Sequence, residues 1–172
     1  WVAIAADGTV TIQSAPAEMG QGIMTGLPLC LAEELDADWR TVRVQQSPAL
    51  PAIYGNPAIG MEMSTHGDFS LKGYFMAMRL AGAQAREVLL LNAAGRLGVV
   101  RAALRTSAGA VIHDASGRRV SYGDIARDAR VPASLRVKRS NSRIHDSMRS
   151  TAVTMSRACS SSPSPLSSTA SS

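Results

Sequence analysis

The sequence predicts an α+β domain followed by a disordered tail. Short runs of β-branched residues beside glycine turns indicate strands, and a long run of apolar residues at helical spacing indicates a main helix. The chain has 172 residues, of which 45% are hydrophobic and 18% charged, and this composition excludes collagen, a coiled coil and wholesale disorder. Aromatic residues make up only 4% of the chain, so the predicted core is aliphatic.

A hairpin, a helix and a strand are predicted in the first part of the chain. Residues 1–5 and 10–14 have the pattern of strands, and the Asp7-Gly8 pair between them is a hairpin signal. Residues 23–35 carry apolar side chains on one helical face. Because Pro28 lacks a backbone donor, this helix is expected to begin either at residue 23 or near residue 27. Alternating polarity predicts a strand over residues 39–45.

A long loop and the main helix follow. Residues 46–71 are rich in Pro, Gly, Ser and Met, and a loop of this length is usually functional or disordered. Residues 72–97 have the strongest helical periodicity, with Gly82 as a predicted close-packing position. The remaining predicted elements are a hairpin over 105–108 and 110–113, a strand over 119–122 and a short helix over 123–129.

Charge and serine content divide the chain at residue 133. Residues 1–133 contain 12 basic and 12 acidic side chains, whereas residues 134–172 contain 6 basic and 1 acidic side chain, with 14 serines. Residues 134–172 are therefore predicted to be a disordered Ser/Arg-rich tail. Two origins remain open for this tail, a natural extension and a reading-frame slip near Leu135.

The composition also limits the classes of partner. The balanced charge of residues 1–133 provides no electrostatic argument for binding nucleic acid or a membrane surface. The basic tail has no aromatic side chains for stacking on bases, so nucleic-acid binding is ranked last. No segment is long enough to span a bilayer. The predicted partners therefore include neither nucleic acid nor a membrane span.

The first candidate site is the turn Glu18-Met19-Gly20-Gln21-Gly22. Gly20 and Gly22 allow a ligand to approach the backbone closely, and the helix that follows places a positive dipole end here. The Gln21 amide offers a donor and an acceptor, which suits the edge of a heterocyclic ring. An anion and a ring are thus the expected ligands, although a glycine-rich turn of this kind is often only a connection.

The second candidate site is the segment 63–70, ahead of the main helix. Thr65, Gly67 and Ser70 supply hydroxyls and a flexible position at a helix entrance. Asp68 or Ser70 can instead serve as a plain helix cap. His66 and Asp68 can form a pair for acid–base chemistry, or His66 can be a solvated loop residue. No catalytic residue and no metal site are predicted. The methionines are interpreted as core filling, and Cys30 as buried and unreactive.

The order of several segments resembles the molybdopterin-binding large subunit of the xanthine dehydrogenase and aldehyde oxidase family, in its isoquinoline 1-oxidoreductase beta-subunit branch. The resemblance covers residues 1–134. It is carried by DGTVTI at 7–12, EMGQG at 18–22, LAEELDADW at 31–39, VRV at 42–44, MRLAGA at 78–83, ARE at 85–87, SGR at 116–118 and YG at 122–123.

The resemblance implies an oxidoreductase that oxidises an aldehyde or an N-heterocycle with oxygen taken from water. Its cofactor is then a molybdopterin, in this branch the cytosine dinucleotide form, and electrons leave through a [2Fe-2S] iron–sulfur subunit. Gly20, Gln21 and Gly22 are expected to line the pterin and its phosphate. Thr65, Gly67 and Ser70 match the family's Thr-Gly-Gly-Ser-x-Ser segment, which faces the cofactor.

Two departures accompany this resemblance. His66 and Asp68 replace Gly and Ser of the family segment, and an Asp beside an anionic cofactor is unfavourable. The family's Gly-Gly-Phe-Gly loop and Gly-Val-Gly-Glu segment are not in this sequence. The chain is therefore expected to be an N-terminal fragment of a large subunit and inactive by itself. The alternative is a small, non-catalytic α+β binding module with a disordered tail.

Overall fold

The computed structural model describes residues 1–132 and 153–155 of the chain. Within them lie an N-terminal sheet, two long helices packed on it and a second small sheet, which confirms the α+β class. The elements are β1 (Val2–Ile4), β2 (Val10–Ser14), α1 (Ile23–Leu35), β3 (Val42–Gln46), α2 (Pro51–Tyr54), α3 (Phe69–Leu97), β4 (Leu104–Ser107), β5 (Ala110–His113), β6 (Arg118–Ser121), α4 (Tyr122–Ala126) and β7 (Val153–Met155).

The first sheet has the strand order β3-β2-β1-β7. Strands β1 and β2 form the predicted antiparallel hairpin, with Val2 opposite Ile12 and Gly8 in the turn at a φ of 90°. Strands β2 and β3 are parallel, so the chain crosses from one to the other through α1. A β-α-β unit therefore places the residues between β2 and α1 at the carboxyl edge of the sheet.

Strand β7 lies in the segment predicted to be disordered. Its backbone pairs in parallel with β1, with Val153 opposite Val2. The other residues of the predicted tail, 134–152 and 156–172, lie outside the described residues, as does the predicted boundary after residue 133.

Helices α1 and α3 pack closely at Gly82. A Cβ atom at this position would lie 2.3 Å from the Leu31 carbonyl oxygen and 2.9 Å from the Glu34 Cβ atom. The missing side chain therefore lets the two helix backbones approach, as the sequence predicts. Around this contact the aliphatic core is formed by residues of both helices and of the first sheet, including Ile4, Ile12, Leu27, Leu31, Leu35, Met78, Ala85 and Leu89.

Pro28 is inside α1 and not at its beginning. The helix starts at Ile23, so the alternative start near residue 27 is wrong. The ring of Pro28 is buried with Leu27 and Leu31 on the inner face of the helix. Burial of this apolar face offsets the backbone hydrogen bond that proline cannot donate.

The C-terminal end of α1 holds the second sheet. Asp36 ends the helix in the left-handed region at a φ of 55°, and its carbonyl accepts a 2.8 Å hydrogen bond from Gly109 N–H in the β4–β5 turn. The buried Tyr122 hydroxyl donates to the Leu35 carbonyl at 2.6 Å, and burial raises the pKa of Tyr122 above its usual range. The antiparallel sheet β4-β5-β6 is thereby attached to α1.

Several predicted elements have different bounds in the structure, among them the short helix predicted over 123–129, which spans Tyr122–Ala126. Residues 39–41 form a 3₁₀ turn in which the Asp38 side chain accepts from Arg40 N–H, so the strand begins only at Val42. The predicted loop contains helix α2 and a 3₁₀ turn at Pro57–Ile59. Helix α3 begins three residues earlier than predicted, at Phe69. The Asp38 cap accounts for the later start of the strand.

The close approach at Gly82 predicts that alanine substitution has opposite effects on stability at Gly82 and at Gly95. Gly82→Ala is expected to lower the free energy of unfolding by about 1–3 kcal/mol, because the methyl group forces the helices apart. The matched control is Gly95→Ala in the same helix, where a Cβ meets no atom within 4 Å. That change is expected to raise stability by about 0.5–1 kcal/mol. Urea unfolding measures both, and equal effects would contradict the close packing.

Candidate functional site

The turn at residues 18–22 lies between β2 and α1 and is open to solvent. Gly20, Gln21 and Gly22 are exposed, and Met19 is 66% exposed. Both glycines have positive φ values, 93° and 78°, and a Cβ atom on either would meet nothing within 4 Å. The turn therefore needs glycine for its backbone conformation, and its outer face is free for close approach of a flat ligand.

The Glu18 carboxylate accepts hydrogen bonds from the backbone amides of this turn. Its Oε1 accepts from Gly20 N–H at 2.8 Å and from Gly22 N–H at 2.9 Å, and its Oε2 accepts from Met24 N–H at 3.0 Å. These hydrogen bonds hold the pKa of Glu18 below its ordinary value. The amides of Gly20 and Gly22 therefore donate to the chain's own carboxylate, and a phosphate at these amides would have to displace Glu18.

The Gln21 side chain folds back on the start of the same turn. Its Nε2 donates to the Ala17 carbonyl at 2.9 Å, and its Oε1 accepts from Met19 N–H. An amide has two donor hydrogens and two acceptor lone pairs, so each end of Gln21 keeps capacity for one further hydrogen bond. The side chain is thus oriented before any ligand arrives.

The structure brings the two candidate loops together. The Thr65 hydroxyl oxygen accepts a 2.9 Å hydrogen bond from Ala17 N–H, which joins the two loops across 48 positions of sequence. Beside it, the Ser64 Oγ is buried without a hydrogen-bond partner in the described part of the chain. A buried hydroxyl with no partner is costly, and it therefore indicates capacity for a ligand or a water at this point.

The other predicted residues of the second loop have structural surroundings of their own. Gly67 has a φ of 53° and is exposed, whereas Ser70 is buried in the first turn of α3. Asp68 stands at the helix N-cap position, but its side chain makes no cap hydrogen bond and pairs with Lys72 at 2.7 Å. His66 lies edge-on to the Phe69 ring at 5.3 Å, so the contacts described for these two side chains do not form the acid–base pair considered above.

Asn56 is a buried residue that hydrogen-bonds to the end of this loop, and it was not identified from the sequence. It is fully buried, its Nδ2 donates to the Phe69 carbonyl at 2.9 Å, and its Oδ1 accepts from Ala58 N–H at 2.9 Å. Gly73 permits this position, since a Cβ there would lie 1.7 Å from the Asn56 Oδ1. The only sequence signal is an Asn-Pro pair, which is typical of a turn and not of a buried anchor.

A second, polar groove lies between α1 and α3. Glu34 accepts a 2.7 Å hydrogen bond from Arg79 Nε, and Arg86 approaches the same carboxylate at 3.8 Å. Cys30 lines this groove and is only partly buried, so the prediction that it is buried is wrong. Partial desolvation raises the pKa of its thiol. Helical spacing locates these side chains on their helices, but it does not reveal that the two helices bring them together.

The family can now be stated from comparison with known proteins. A model of the molybdopterin cofactor-binding domain matches residues 1–162. The chain belongs to the molybdopterin cofactor-binding domain family. This membership confirms the resemblance to the molybdenum hydroxylases that the sequence motifs indicate, and the match extends beyond residue 133.

Two curated relatives are similar over most of this chain. The isoquinoline 1-oxidoreductase subunit beta of Brevundimonas diminuta is 46% identical over 134 residues, which are 78% of this chain and 17% of the relative. The membrane-bound aldehyde dehydrogenase [pyrroloquinoline-quinone] of Gluconacetobacter polyoxogenes is 34% identical over 125 residues, 73% of this chain and 15% of the relative. The chain thus spans less than a fifth of the length of these relatives.

Solved structures show the same fold. The CO dehydrogenase from Oligotropha carboxidovorans has a TM-score of 0.58 and 19% identity, over 73% of this chain and 15% of that chain. A Cu,Mo-CO dehydrogenase in its carbon monoxide reduced state gives the same values. At this identity the similarity establishes the fold alone.

The residues of the two loops fit the heterocyclic ring of a molybdopterin better than its phosphate. Spare hydrogen-bonding capacity on Gln21 and the open glycine face suit the edge and plane of a heterocyclic ring. The phosphate fits less well, because Glu18 already accepts from the amides of Gly20 and Gly22.

Among residues 1–132 and 153–155, no helix combines the length and apolarity required to cross a bilayer. In the same described residues, no group of three or more His, Cys, Asp or Glu side chains is arranged to hold a metal ion.

Thr65→Val is expected to loosen the connection between the two loops. Loss of the acceptor for Ala17 N–H costs about 1 kcal/mol, so the hydrogen exchange of this amide should accelerate roughly five-fold. Thr65→Ser keeps the hydroxyl and is the control, expected to exchange like the original protein. Unchanged exchange in Thr65→Val would show that the hydrogen bond contributes nothing to the order of the turn.

Acid should release the Glu18 carboxylate from the turn. A lowered pKa means that folding favours the ionised form, so this stabilisation is present above the ordinary value of 4.5 and is lost as the pH falls through the lowered pKa. The amide chemical shifts of Gly20 and Gly22 should report a transition with a midpoint below 4.5. Glu18→Gln should abolish that transition, and a midpoint above 4.5 would contradict the three hydrogen bonds.

Proposed function

We propose that the chain is the N-terminal part of the molybdopterin-binding large subunit of a molybdenum hydroxylase, an oxidoreductase. The observation that carries the proposal is the match of the molybdopterin cofactor-binding domain across residues 1–162. The proposed reaction oxidises an aldehyde or an N-heterocycle with oxygen from water. Support for these two substrate classes comes from the names of the two relatives, an isoquinoline oxidoreductase and an aldehyde dehydrogenase.

In this proposal the two joined loops are the part of the chain that faces the cofactor. Gly20, Gln21 and Gly22 present an open, oriented edge, and the Thr65 hydrogen bond to Ala17 holds the second loop against it. Gly67 and Ser70 complete the proposed set. The position agrees with the general behaviour of β-α-β units, in which ligands bind beyond the carboxyl ends of the strands.

The molybdopterin, when bound, supplies the oxygen-transfer and redox chemistry. The residues of this chain bind and orient it: Gln21 offers a donor and an acceptor, and the glycines allow its ring to lie against the backbone. The cytosine dinucleotide form is proposed for the cofactor, on the basis of the resemblance to the isoquinoline branch. No catalytic residue is assigned within this chain.

The proposed partners are a [2Fe-2S] small subunit and a small-molecule substrate. The name of the Brevundimonas relative describes one subunit of an oxidoreductase, which agrees with transfer of electrons to another chain. The present chain corresponds to 17% of that relative's length, so most of a hydroxylase's cofactor cage and substrate pocket must come from sequence beyond the matched region. We therefore propose that this chain is inactive by itself.

Gln21→Ala tests the proposed cofactor contact in the assembled enzyme. Made in the intact large subunit and purified with its partner subunits, the variant is expected to lose about ten-fold in molybdenum content, because the oriented Gln21 amide is gone. Metal analysis and oxidised-pterin fluorescence measure the content. Turnover of isoquinoline and of an aldehyde in ¹⁸O-labelled water measures the reaction.

Gln45→Ala is the matched control. Gln45 is an exposed glutamine on β3 whose side-chain oxygen accepts from Gln13 Nε2 at 3.1 Å, and it belongs to neither of the two loops. It should retain cofactor and activity. Full retention of molybdenum and activity by Gln21→Ala would refute the role of this turn, and product without ¹⁸O would refute the reaction class.

A further inference from the structure

The groove between α1 and α3 is separate from the two loops of the proposed cofactor site. It encloses about 370 Å³ where the two helices lie side by side. Three of the segments that carry the family resemblance, at 31–39, 78–83 and 85–87, contribute residues to it. The residues that line this α1–α3 groove are Cys30, Glu33, Glu34, Phe75, Arg79 and Arg86.

Arg86 is a groove residue whose hydrogen-bonding capacity is not met. Its side chain is only 24% exposed, yet within the described part of the chain it makes no hydrogen bond. The carboxylates of Glu34 and Asp36 lie 3.8 and 3.9 Å from its terminal nitrogens, which is beyond hydrogen-bonding distance. A guanidinium carries five N–H donors, and burying donors without acceptors is costly. The groove therefore lacks an acceptor opposite Arg86.

The charges around Arg86 favour an uncharged acceptor. Glu34 already accepts from Arg79 Nε at 2.7 Å, and Asp36 accepts from the Thr106 hydroxyl. These two carboxylates balance the charges of Arg79 and Arg86, so a third carboxylate would be repelled by both of them. A carbonyl oxygen meets no such repulsion, and every residue of a polypeptide backbone offers one.

Another part of the groove is apolar. The Phe75 ring lies 5.6 Å from the Arg79 guanidinium and remains 37% exposed. Leu71, one helical turn earlier on the same face of α3, is 54% exposed. Partly exposed Cys30 lines the groove from α1. An apolar side chain can therefore pack beside the carbonyl acceptor, and a polypeptide segment provides both groups at once.

The remainder of a large subunit is the source of such a segment. This chain corresponds to 17% of the length of the Brevundimonas relative, so most of the polypeptide that would fold with this domain lies beyond the matched region. A segment of the same polypeptide is held at high effective concentration, and it can occupy the groove without a separate association step.

We propose that the α1–α3 groove is a docking site for an uncharged segment of the same large subunit, which places a backbone carbonyl against Arg86 and an apolar side chain against Phe75. This inference rests on the proposed function for the identity of the chain as part of a large subunit. It does not involve the cofactor.

Photocrosslinking from position 75 identifies the occupant. Phe75 is replaced by the photoreactive analogue p-benzoylphenylalanine in the intact large subunit, purified with its partner subunits, which keeps an aromatic ring at this partly exposed position. Illumination should give one main adduct that migrates as a single subunit, and mass spectrometry should locate it in a segment outside the sequence of this chain. An adduct with the [2Fe-2S] subunit or with a second copy would overturn the proposal, as would a solvated groove that gives no adduct.

Arg86→Ala, made in the same photoreactive subunit, tests the carbonyl contact. It should lower the adduct yield roughly five-fold or more, because the segment loses a hydrogen bond to a charged donor. Arg43→Ala is the matched control, since it removes an exposed arginine of β3 and should leave the yield unchanged. If Arg86→Ala does not fold, Arg86→Lys replaces it: the charge beside Glu34 and Asp36 is kept, but the planar set of donors is lost. An unchanged yield in a folded Arg86 variant would contradict the contact.

The outcomes separate this inference from the proposed function. The adduct and its yield do not depend on molybdenum. Retention of molybdenum by Gln21→Ala would refute the cofactor contact and leave the docking site standing, whereas a missing adduct would overturn the docking site and leave the cofactor contact standing.

Discussion

The approach of α1 to α3 at Gly82 is the constraint on which the rest of the structure depends. No residue with a side chain can occupy position 82 while the Leu31 carbonyl lies where it does. This contact positions α1 against α3, and the two ends of α1 in turn position the exposed turn and the second sheet. The first residues of α1 follow the exposed turn at the edge of the sheet, and its last residues hold the second sheet through Asp36 and Tyr122.

The candidate site is held together by hydrogen bonds, some between residues close in sequence and others between residues far apart in sequence. Glu18 and Gln21 organise the turn locally, within six residues. Thr65 reaches it from the second loop, and Asn56 anchors that loop beneath α3. The result is a polar face that is oriented before a ligand is present, which reduces the entropy lost on binding. Because the chain belongs to the molybdopterin cofactor-binding domain family, we propose molybdopterin as the ligand of this face.

Much of the fold was predictable because its signals are local. The hairpin turn at Asp7-Gly8, the bounds of β2 and the helix over 23–35 follow from turn chemistry and apolar periodicity, and the structure confirms them. The start of α3, the 3₁₀ turn at 39–41 and the inclusion of Pro28 in α1 were less predictable. The 3₁₀ turn depends on the Asp38 cap, and the inclusion of Pro28 depends on the burial of the inner face of α1.

The candidate site, like the fold, was predictable from the sequence only in part. The amino-acid sequence determined the α+β class, the family and the two loops that carry the motif residues, because glycines, a lone glutamine and hydroxyls at a helix entrance are local patterns. Only the tertiary structure decided that the loops touch, and that Glu18, not a ligand, satisfies the turn amides. The physical reason is geometry: a linear pattern shows which groups can donate and accept, but their partners depend on which atoms the fold brings within hydrogen-bonding distance.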